Sequence, residues 1–165
     1  DYALKKKYKK LLFVTSSDKF LKREVRGAKR LEGFVDRMTK ENLKYKNFQI
    51  TDPLDYIGSG DEIFSFYKKN KSNIDCIITF NEMTGLGILS VALRNNIQVP
   101  KQLGIAGIGN ASVTDLLENK LTTVNTNQHL MGKLAASKLI DRINGVTFEK
   151  RIIDVGTSIV KGFSL

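Results

Sequence analysis

Apolar and amphipathic segments alternate along the chain. Three almost continuously apolar runs predict strands: "LLFV" (Leu11–Val14), "IDCIITF" (Ile74–Phe80) and "LGIAGI" (Leu103–Ile108), the first continuous enough to be buried on both faces of a sheet. Between them, apolar residues recur every three or four positions, the spacing of one helix face, in residues 21–40, 61–70 and 82–96. This alternation predicts an α/β fold: a doubly wound, mostly parallel sheet with helices on both faces.

The same alternation continues with weaker signals elsewhere. "FQIT" (Phe48–Thr51) and "LTTVN" (Leu121–Asn125) predict further strands, and residues 150–163 predict one or two final strands. Helices are predicted at Ser112–Glu118 and Gln128–Ile143. No segment repeats another, so the pattern predicts one sheet with connecting helices.

The loops that follow the predicted strands form the candidate ligand edge. In a parallel sheet, ligands bind beyond the carboxyl ends of the strands, at loops that lead into helices. That rule selects Thr15–Phe20, Asp52–Gly60, Phe80–Met83 and Gly107–Ser112.

Three positions in these loops, and Arg30 on the long predicted helix, are candidates for ligand contact. Asn81 can donate and accept hydrogen bonds, which suits a sugar hydroxyl and suits a helix N-cap as well. For Arg30, between Ala28 and Leu31, a surface arginine is the default interpretation; at a cleft edge its guanidinium would bind hydroxyls, phosphate or carboxylate by paired hydrogen bonds. Gly109 and Asn110 leave the backbone open to a ligand, and a plain tight turn explains them equally well.

Enzyme chemistry and metal binding have little support. His129 is the only histidine, and at the start of a predicted helix it is expected to have a surface or capping role. Gly85–Gly87 lacks the spacing of a dinucleotide fingerprint and is expected to permit close helix–sheet packing. The single cysteine, Cys76, is expected to be a buried, inert thiol. No clustered His/Cys spacing suggests a metal site. We therefore expect no catalytic residue, no metal and no cofactor.

Charge changes this picture only slightly. The formal net charge is +10, and five lysines fall within the first ten residues: Lys5, Lys6, Lys7, Lys9 and Lys10. Such a run can attract nucleic acid, but this one contains no arginine and no aromatic residue besides Tyr2 and Tyr8, so a solvated helix face is expected. No apolar run approaches the roughly 20 residues of a membrane helix, and no secretory signal is recognisable.

Several segments together resemble a known family. They are "RLEGF" (Arg30–Phe34), "IITFNEMTGLGIL" (Ile77–Leu89), "VPKQLGIAGIGN" (Val99–Asn110), "LTTVNT" (Leu121–Thr126), "MGKLAASKLIDRINGV" (Met131–Val146) and "SIVKGFS" (Ser158–Ser164). In this order they resemble the effector-binding domain of the lactose- and galactose-repressor family of bacterial transcription regulators. The resemblance covers nearly the whole chain.

The resemblance implies a periplasmic-binding-protein-like fold and a partial domain. Residues of about 10–124 and 155–165 would form the C-terminal subdomain, and about 125–154 a crossover segment that packs on a missing N-terminal subdomain. A DNA-binding headpiece would also be absent from this chain. The helix at about 128–144 would then dock on a neighbouring copy or rearrange.

The resemblance also implies a function. A sugar or sugar-phosphate effector would bind in the cleft between two subdomains of a cytoplasmic homodimer and shift its affinity for operator DNA, which only the headpiece contacts. Two alternatives remain: a periplasmic-type sugar-binding protein and a small α/β enzyme.

Site residues follow from the resemblance position by position. Arg30 and Asn81 would contact the effector, and Thr126 falls where several relatives place a polar contact on the hinge side. An aromatic stacking residue is expected in the loop Pro53–Tyr56, with Tyr56 as the best candidate.

Two positions depart from the family pattern. Glu82 follows Asn81 where the family usually has Asp, and Gly109, followed by Asn110, stands where a carboxylate is frequent. Losing that carboxylate removes an acceptor for vicinal hydroxyls. Either Asn110 supplies weaker contacts or the effector differs, for example by carrying a phosphate that a carboxylate would repel.

Overall fold

The structure, a computed structural model, describes residues 1–17, 25–109, 120–147 and 152–165. Its strands are β1 (Leu11–Thr15), β2 (Tyr45–Gln49), β3 (Cys76–Thr79), β4 (Gly104–Ile108), β5 (Thr122–Asn125) and β6 (Ser158–Val160). Its helices are α1 (Tyr2–Lys5), α2 (Val25–Lys40), α3 (Tyr56–Lys69), α4 (Glu82–Arg94) and α5 (Gln128–Ile143). The helix predicted at Ser112–Glu118 lies outside the described residues.

One sheet contains all six strands in the order β2-β1-β3-β4-β5-β6. β1 to β5 run parallel, and β6 runs antiparallel to β5. Ile78 and the α2 residue Phe34 border one cavity, whereas Gly85 of α4 packs against Thr79. Because consecutive strand residues point to opposite faces, α2 and α4 cover opposite faces of the sheet. The predicted α/β class and mostly parallel sheet are confirmed.

The core is centred on β1 and β3. Every residue of β1 is buried, as expected for a central strand covered on both faces. Phe13 packs against Phe34 of α2 with ring centroids 4.8 Å apart. Cys76 is a buried free thiol, as predicted, and burial raises its pKa well above the ordinary value, with a smaller contribution from Asp75. A thiol held protonated in this way is a poor nucleophile.

Two elements begin earlier than the hydrophobic pattern indicated. β2 spans Tyr45–Gln49, and its residues alternate between exposed and half-buried, so its apolar signal is weak. α3 starts at Tyr56 rather than near residue 61 because the side chain of Asp55 accepts a hydrogen bond from the Gly58 amide at 2.8 Å. This N-cap closes the first turn of the helix.

α5 stands apart from the rest of the fold. None of its residues is buried, and Ile140 and Ile143 are 57% and 76% exposed. The assignment of about 125–154 to a crossover segment, and the docking of this helix on another copy, stay predictions. Among the described residues, no helix is long and apolar enough to span a membrane.

Candidate functional site

Asn81 lies in the loop between β3 and α4, at the carboxyl edge of the sheet. Its Oδ1 accepts a hydrogen bond from the backbone amide of Thr84 at 2.7 Å, so it caps α4. The hydroxyl of Thr79 donates to the Asn81 carbonyl at 2.6 Å and fixes the loop from below. The capping role considered for Asn81 is therefore present, and it uses the side-chain oxygen rather than the Nδ2 group.

Arg30 reaches the same loop from α2. Its Nη1 donates to the carbonyl of Phe80, the residue before Asn81, at 2.6 Å. Arg30 is half-buried, not a freely solvated surface side chain. A planar guanidinium has further N–H donors in a fixed geometry, so the structure brings a cation and an amide together beside one loop.

Gly109 follows β4, next to this loop. Its φ of +140° lies in a region that side-chain-bearing residues rarely adopt. A Cβ at residue 109 would lie 3.4 Å from the Cβ of Glu82 and 3.7 Å from its Oε2. Glu82 is buried, so its carboxylate lies alongside the position where residue 109 has no side chain. In the sequence, Glu82 stands out only as a departure from the family, and Asn110 lies outside the described residues.

Thr126 and Asn127 follow β5, the next strand in the sheet. Thr126 is half-buried. Asn127 has a left-handed φ of 51°, and its Nδ2 donates to the carbonyls of Val155 and Gly156 at 2.8 and 3.2 Å. This amide joins the chain that leaves the sheet after β5 to the chain that returns before β6. Asn127 was missed at the level of sequence, although asparagine after a strand is a common signal of left-handed backbone.

Tyr56, the first residue of α3, lies at the same edge of the sheet. The Tyr56 carbonyl packs on Gly87 of α4, where a Cβ would come within 2.0 Å of its oxygen. Beside it, Leu54 and Ile57 are 71% and 50% exposed. Tyr56 is thus anchored by its backbone on the helix that Asn81 caps.

The glycines of α4 allow the helix to pack close to its neighbours. A Cβ on Gly85 would lie 2.9 Å from Thr79 Oγ1 and 3.4 Å from Gly107 Cα, so Gly85 permits close helix–sheet packing, as predicted. Gly87 instead permits close packing of α4 on the start of α3. Both contacts hold the first turn of α4, and therefore Asn81, close to the strand ends.

Ser16 is a polar group that the sequence pattern did not single out within its predicted loop. It follows β1 and is 3% exposed. Within the described residues, its hydroxyl has no hydrogen-bond partner. A buried polar group without a partner costs free energy, and the strand order places this one between the loops of Tyr56 and Asn81.

These groups are suited to binding rather than to a reaction. They comprise an amide, a guanidinium, hydroxyls and one carboxylate at a shared edge. In the part of the chain that the structure describes, no group of three or more His, Cys, Asp or Glu residues could hold a metal ion. His129 is exposed in the first turn of α5. A few convergent polar groups of this kind fix the orientation of a small ligand.

The whole chain, residues 1–165, matches the family described as "Periplasmic binding protein-like domain". The NTD biosynthesis operon regulator NtdR of Bacillus subtilis is 26% identical over 132 residues, which cover 79% of this chain and 40% of NtdR. The HTH-type transcriptional repressor PurR of Photobacterium profundum is 24% identical over 131 residues, covering 79% of this chain and 39% of PurR. The chain therefore spans about two fifths of the length of these curated relatives.

Solved structures share the architecture. A LacI family transcriptional regulator from Silicibacter pomeroyi superposes with a TM-score of 0.81 at 22% identity, covering 99% of this chain and 58% of that one. A periplasmic binding protein/LacI transcriptional regulator from Alkaliphilus metalliredigens QYMF, complexed with D-xylulofuranose, gives a TM-score of 0.75 at 19% identity, covering 99% and 59%. These similarities confirm the predicted periplasmic-binding-protein-like fold.

Proposed function

The chain belongs to the periplasmic binding protein-like family, and from this we propose that it forms one half of the effector cleft of a transcription repressor of the lactose- and galactose-repressor type. The observation that carries the proposal is the placement of Arg30 beside Asn81, through its hydrogen bond to Phe80. The relatives are regulators rather than enzymes, and the proposed role is binding without catalysis.

In this proposal, Arg30 and Asn81 recognise a sugar or a sugar phosphate. Asn81 keeps its Oδ1 in the helix cap and offers its Nδ2 to a ligand oxygen. The guanidinium of Arg30 binds a hydroxyl pair or a phosphate through its fork of N–H donors. The Glu82 carboxylate, beside Gly109, accepts hydrogen bonds from hydroxyls. A phosphate group of the ligand would therefore lie beside Arg30, because the Glu82 carboxylate would repel it.

The remaining predicted contacts complete the proposed half-site. Thr126 would provide a polar contact on the hinge side of the cleft. Tyr56 and Asn110 would provide the further contacts predicted from the sequence. The support for Thr126 and Tyr56 is their position after strand ends at the carboxyl edge, where ligands of parallel sheets bind; the support for Asn110 is its place after Gly109 in the sequence.

Signal transmission would use the two chain segments joined by Asn127. A repressor needs an effector that binds two conformers with different affinity, because only differential binding shifts an equilibrium. The crossover segment of about 125–154 would pack on a first subdomain outside this chain, which would cover the exposed apolar residues of α5. Closure of the two subdomains on the effector would then act through the residues after β5 and before β6.

The complete protein is proposed to be a cytoplasmic homodimer that binds operator DNA. NtdR is named as an operon regulator and PurR as an HTH-type repressor, which supports a DNA-binding headpiece in the longer protein. The ligand of the Alkaliphilus protein, D-xylulofuranose, supports a sugar as the class of effector.

Thermal unfolding of the complete protein that carries this chain tests the proposal. The probes are D-glucose, D-ribose, D-gluconate, D-glucose 6-phosphate and D-ribose 5-phosphate, each at saturating concentration. A ligand present at a hundred times its Kd stabilises the folded state by about 2.7 kcal/mol, so at least one probe should raise Tm by several degrees.

Asn81→Ser is the informative variant because serine also caps helices well but its side chain is too short to reach a ligand with a donor. It should keep the Tm of the free protein and lose the ligand shift. Lys133→Ala on α5 is the control and should keep both. A full ligand shift in Asn81→Ser would overturn the site.

A further inference from the structure

The opposite edge of the sheet carries a regular row of lysines. Because β1 to β5 are parallel and β6 is antiparallel, the residues before the first five strands and after β6 meet at the same edge. The segment flanking each strand carries at least one lysine there, one to five residues from the strand; in strand order these are Lys44, Lys10, Lys71, Lys101, Lys120 and Lys161. We call these six residues the lysine row.

Hydrogen bonds between the flanking segments fix the row. Lys10 Nζ donates to the carbonyl of Ser72, next to Lys71, at 2.7 Å. The amide of Phe163, two residues after Lys161, donates to the carbonyl of Lys120 at 3.0 Å. The row is therefore held by the sheet itself and does not depend on a flexible tail.

Positive charge dominates this edge. The helices that cover the sheet also end there in basic residues, Lys40 at the end of α2, Lys69 at the end of α3 and Arg94 at the end of α4. The Asp75 carboxylate within the row accepts hydrogen bonds from the backbone amides of Lys9 and Lys10, both at 3.0 Å. The partial negative charges of the helix C-termini attract cations. They are smaller than the full positive charges of the lysine and arginine side chains around them, so positive charge still dominates.

The two ends of the sheet differ sharply in this respect. At the carboxyl edge, the described loop residues 16–17, 50–56, 80–82, 109 and 126–127 contain no lysine or arginine, and Arg30 reaches that edge from α2. Within the described residues, the lysines that flank the strands thus lie at the edge opposite the proposed cleft.

We propose that the lysine row binds the phosphate backbone of double-stranded DNA without reading its sequence. Six strands spaced about 4.8 Å apart spread the row over about 24 Å. A duplex carries one negative charge per about 1.7 Å of its axis, so a row of cations of this length can face several phosphates. Lysine ammonium groups act as point charges and suit this contact.

The composition of this edge favours a nucleic acid over an acidic protein. Protein interfaces are enriched in aromatic residues and arginine and depleted in lysine, the reverse of what the row offers. The nearby rings are engaged in the fold: the Tyr8 hydroxyl donates to the Pro100 carbonyl at 3.3 Å, and Tyr45 packs edge-on against Phe34. The row offers no forked donors and no free rings, so backbone phosphates rather than base edges are its expected contacts.

Fluorescence anisotropy of the chain with a labelled duplex of arbitrary sequence tests this inference. Binding should be strongest at low salt, and the logarithm of the association constant should fall against the logarithm of the KCl concentration with a slope of about −4 to −5 if most of the row contacts phosphates. The double variant Lys44→Glu, Lys101→Glu should bind at least about tenfold more weakly at low salt, with a slope shallower by about two.

A control variant separates the row from the general charge of the chain. Lys133→Glu with Arg142→Glu on α5 changes the net charge by the same amount and should weaken binding by less than about threefold. All four side chains are exposed, so these variants should fold normally. Equal losses in the two variants would overturn the proposal. Binding of poly-L-glutamate without binding of the duplex would also overturn the proposal, because that result would indicate an acidic protein partner.

Discussion

α4 and α5 are helices of similar length with opposite surroundings. α4 buries most of its residues between the sheet and α3, whereas α5 buries none. Both have apolar residues at helical spacing, for example Ile88 and Val91 in α4 and Ile140 and Ile143 in α5. An apolar stripe therefore identifies a contact surface of a helix, and only the tertiary structure shows whether the chain itself supplies the partner.

The difference in burial arises from the strands that each helix connects. α4 connects β3 to β4 within the sheet, so it must lie across one face of that sheet. α5 follows β5, and the chain returns to pair β6 antiparallel with the same strand. That return does not require α5 to cross the sheet, which leaves its apolar side chains available to the first subdomain under the proposed function.

The largest difference between the two helices should appear when a core isoleucine is truncated. Ile88 is fully buried, and Ile140 is 57% exposed. Ile88→Ala should lower the free energy of unfolding by about 3.5 kcal/mol, because it removes buried methyl groups and leaves a cavity. Ile140→Ala should change it by less than about 0.5 kcal/mol. Urea unfolding at two protein concentrations measures both values.

A concentration dependence would sharpen the comparison. If Ile140→Ala destabilised the chain only at the higher concentration, α5 would be buried between copies of the chain, as anticipated from the sequence for an unpartnered helix. A loss at both concentrations would mean that α5 packs on its own sheet, which contradicts the structure.

Local patterns were sufficient to predict the sheet and its polar edge. The continuous apolar runs of β1, β3 and β4 are long enough to be recognised, and the rule that ligands bind beyond parallel strand ends selects the loop of Asn81 directly. The limits of β2 and α3 were misplaced because an edge strand has little apolar signal and because the Asp55 cap is a single polar contact.

Long-range contacts could not be predicted in the same way. Arg30 and Phe80 are joined by a hydrogen bond across 50 positions, and only the resemblance to a family paired Arg30 with Asn81 beforehand. The carboxylate of Glu82 beside Gly109 depends on the backbone conformation of another strand. The lysine row is invisible in the sequence because its members line up only once the strand order is known. The sequence shows instead the run from Lys5 to Lys10.

A smaller effect should follow from the glycines of the two helices. A Cβ on Gly87 would lie 2.0 Å from the Tyr56 carbonyl oxygen, whereas nothing lies within 4 Å of one on Gly132 in α5. Gly87→Ala should therefore destabilise the chain by about 2 kcal/mol through overpacking against backbone. Gly132→Ala should stabilise it by up to about 1 kcal/mol, because alanine is the better helix former. Thermal unfolding of both variants checks the opposite signs, and a loss in both would show that α5 is packed.

The smallest expected difference concerns the residues that begin the two helices. Asn81 caps α4 with its side-chain oxygen, whereas Asn127 makes no side-chain cap with α5 and adopts a left-handed φ of 51°. Asn81→Ala should lower the free energy of unfolding by about 1 kcal/mol, the usual value of an N-cap.

Asn127→Gly should lower the free energy of unfolding by less than Asn81→Ala does, because glycine adopts the left-handed conformation without strain and no cap is lost. What it removes are the two hydrogen bonds to Val155 and Gly156, which hold the segments on either side of α5 together. Hydrogen exchange of the amides in residues 152–158 should therefore accelerate in Asn127→Gly but not in Asn81→Ala. Unchanged exchange in both variants would contradict the link through Asn127. If exchange accelerates only in Asn127→Gly, the Asn127 side chain stabilises the contact between the segments before and after α5 rather than the helix itself.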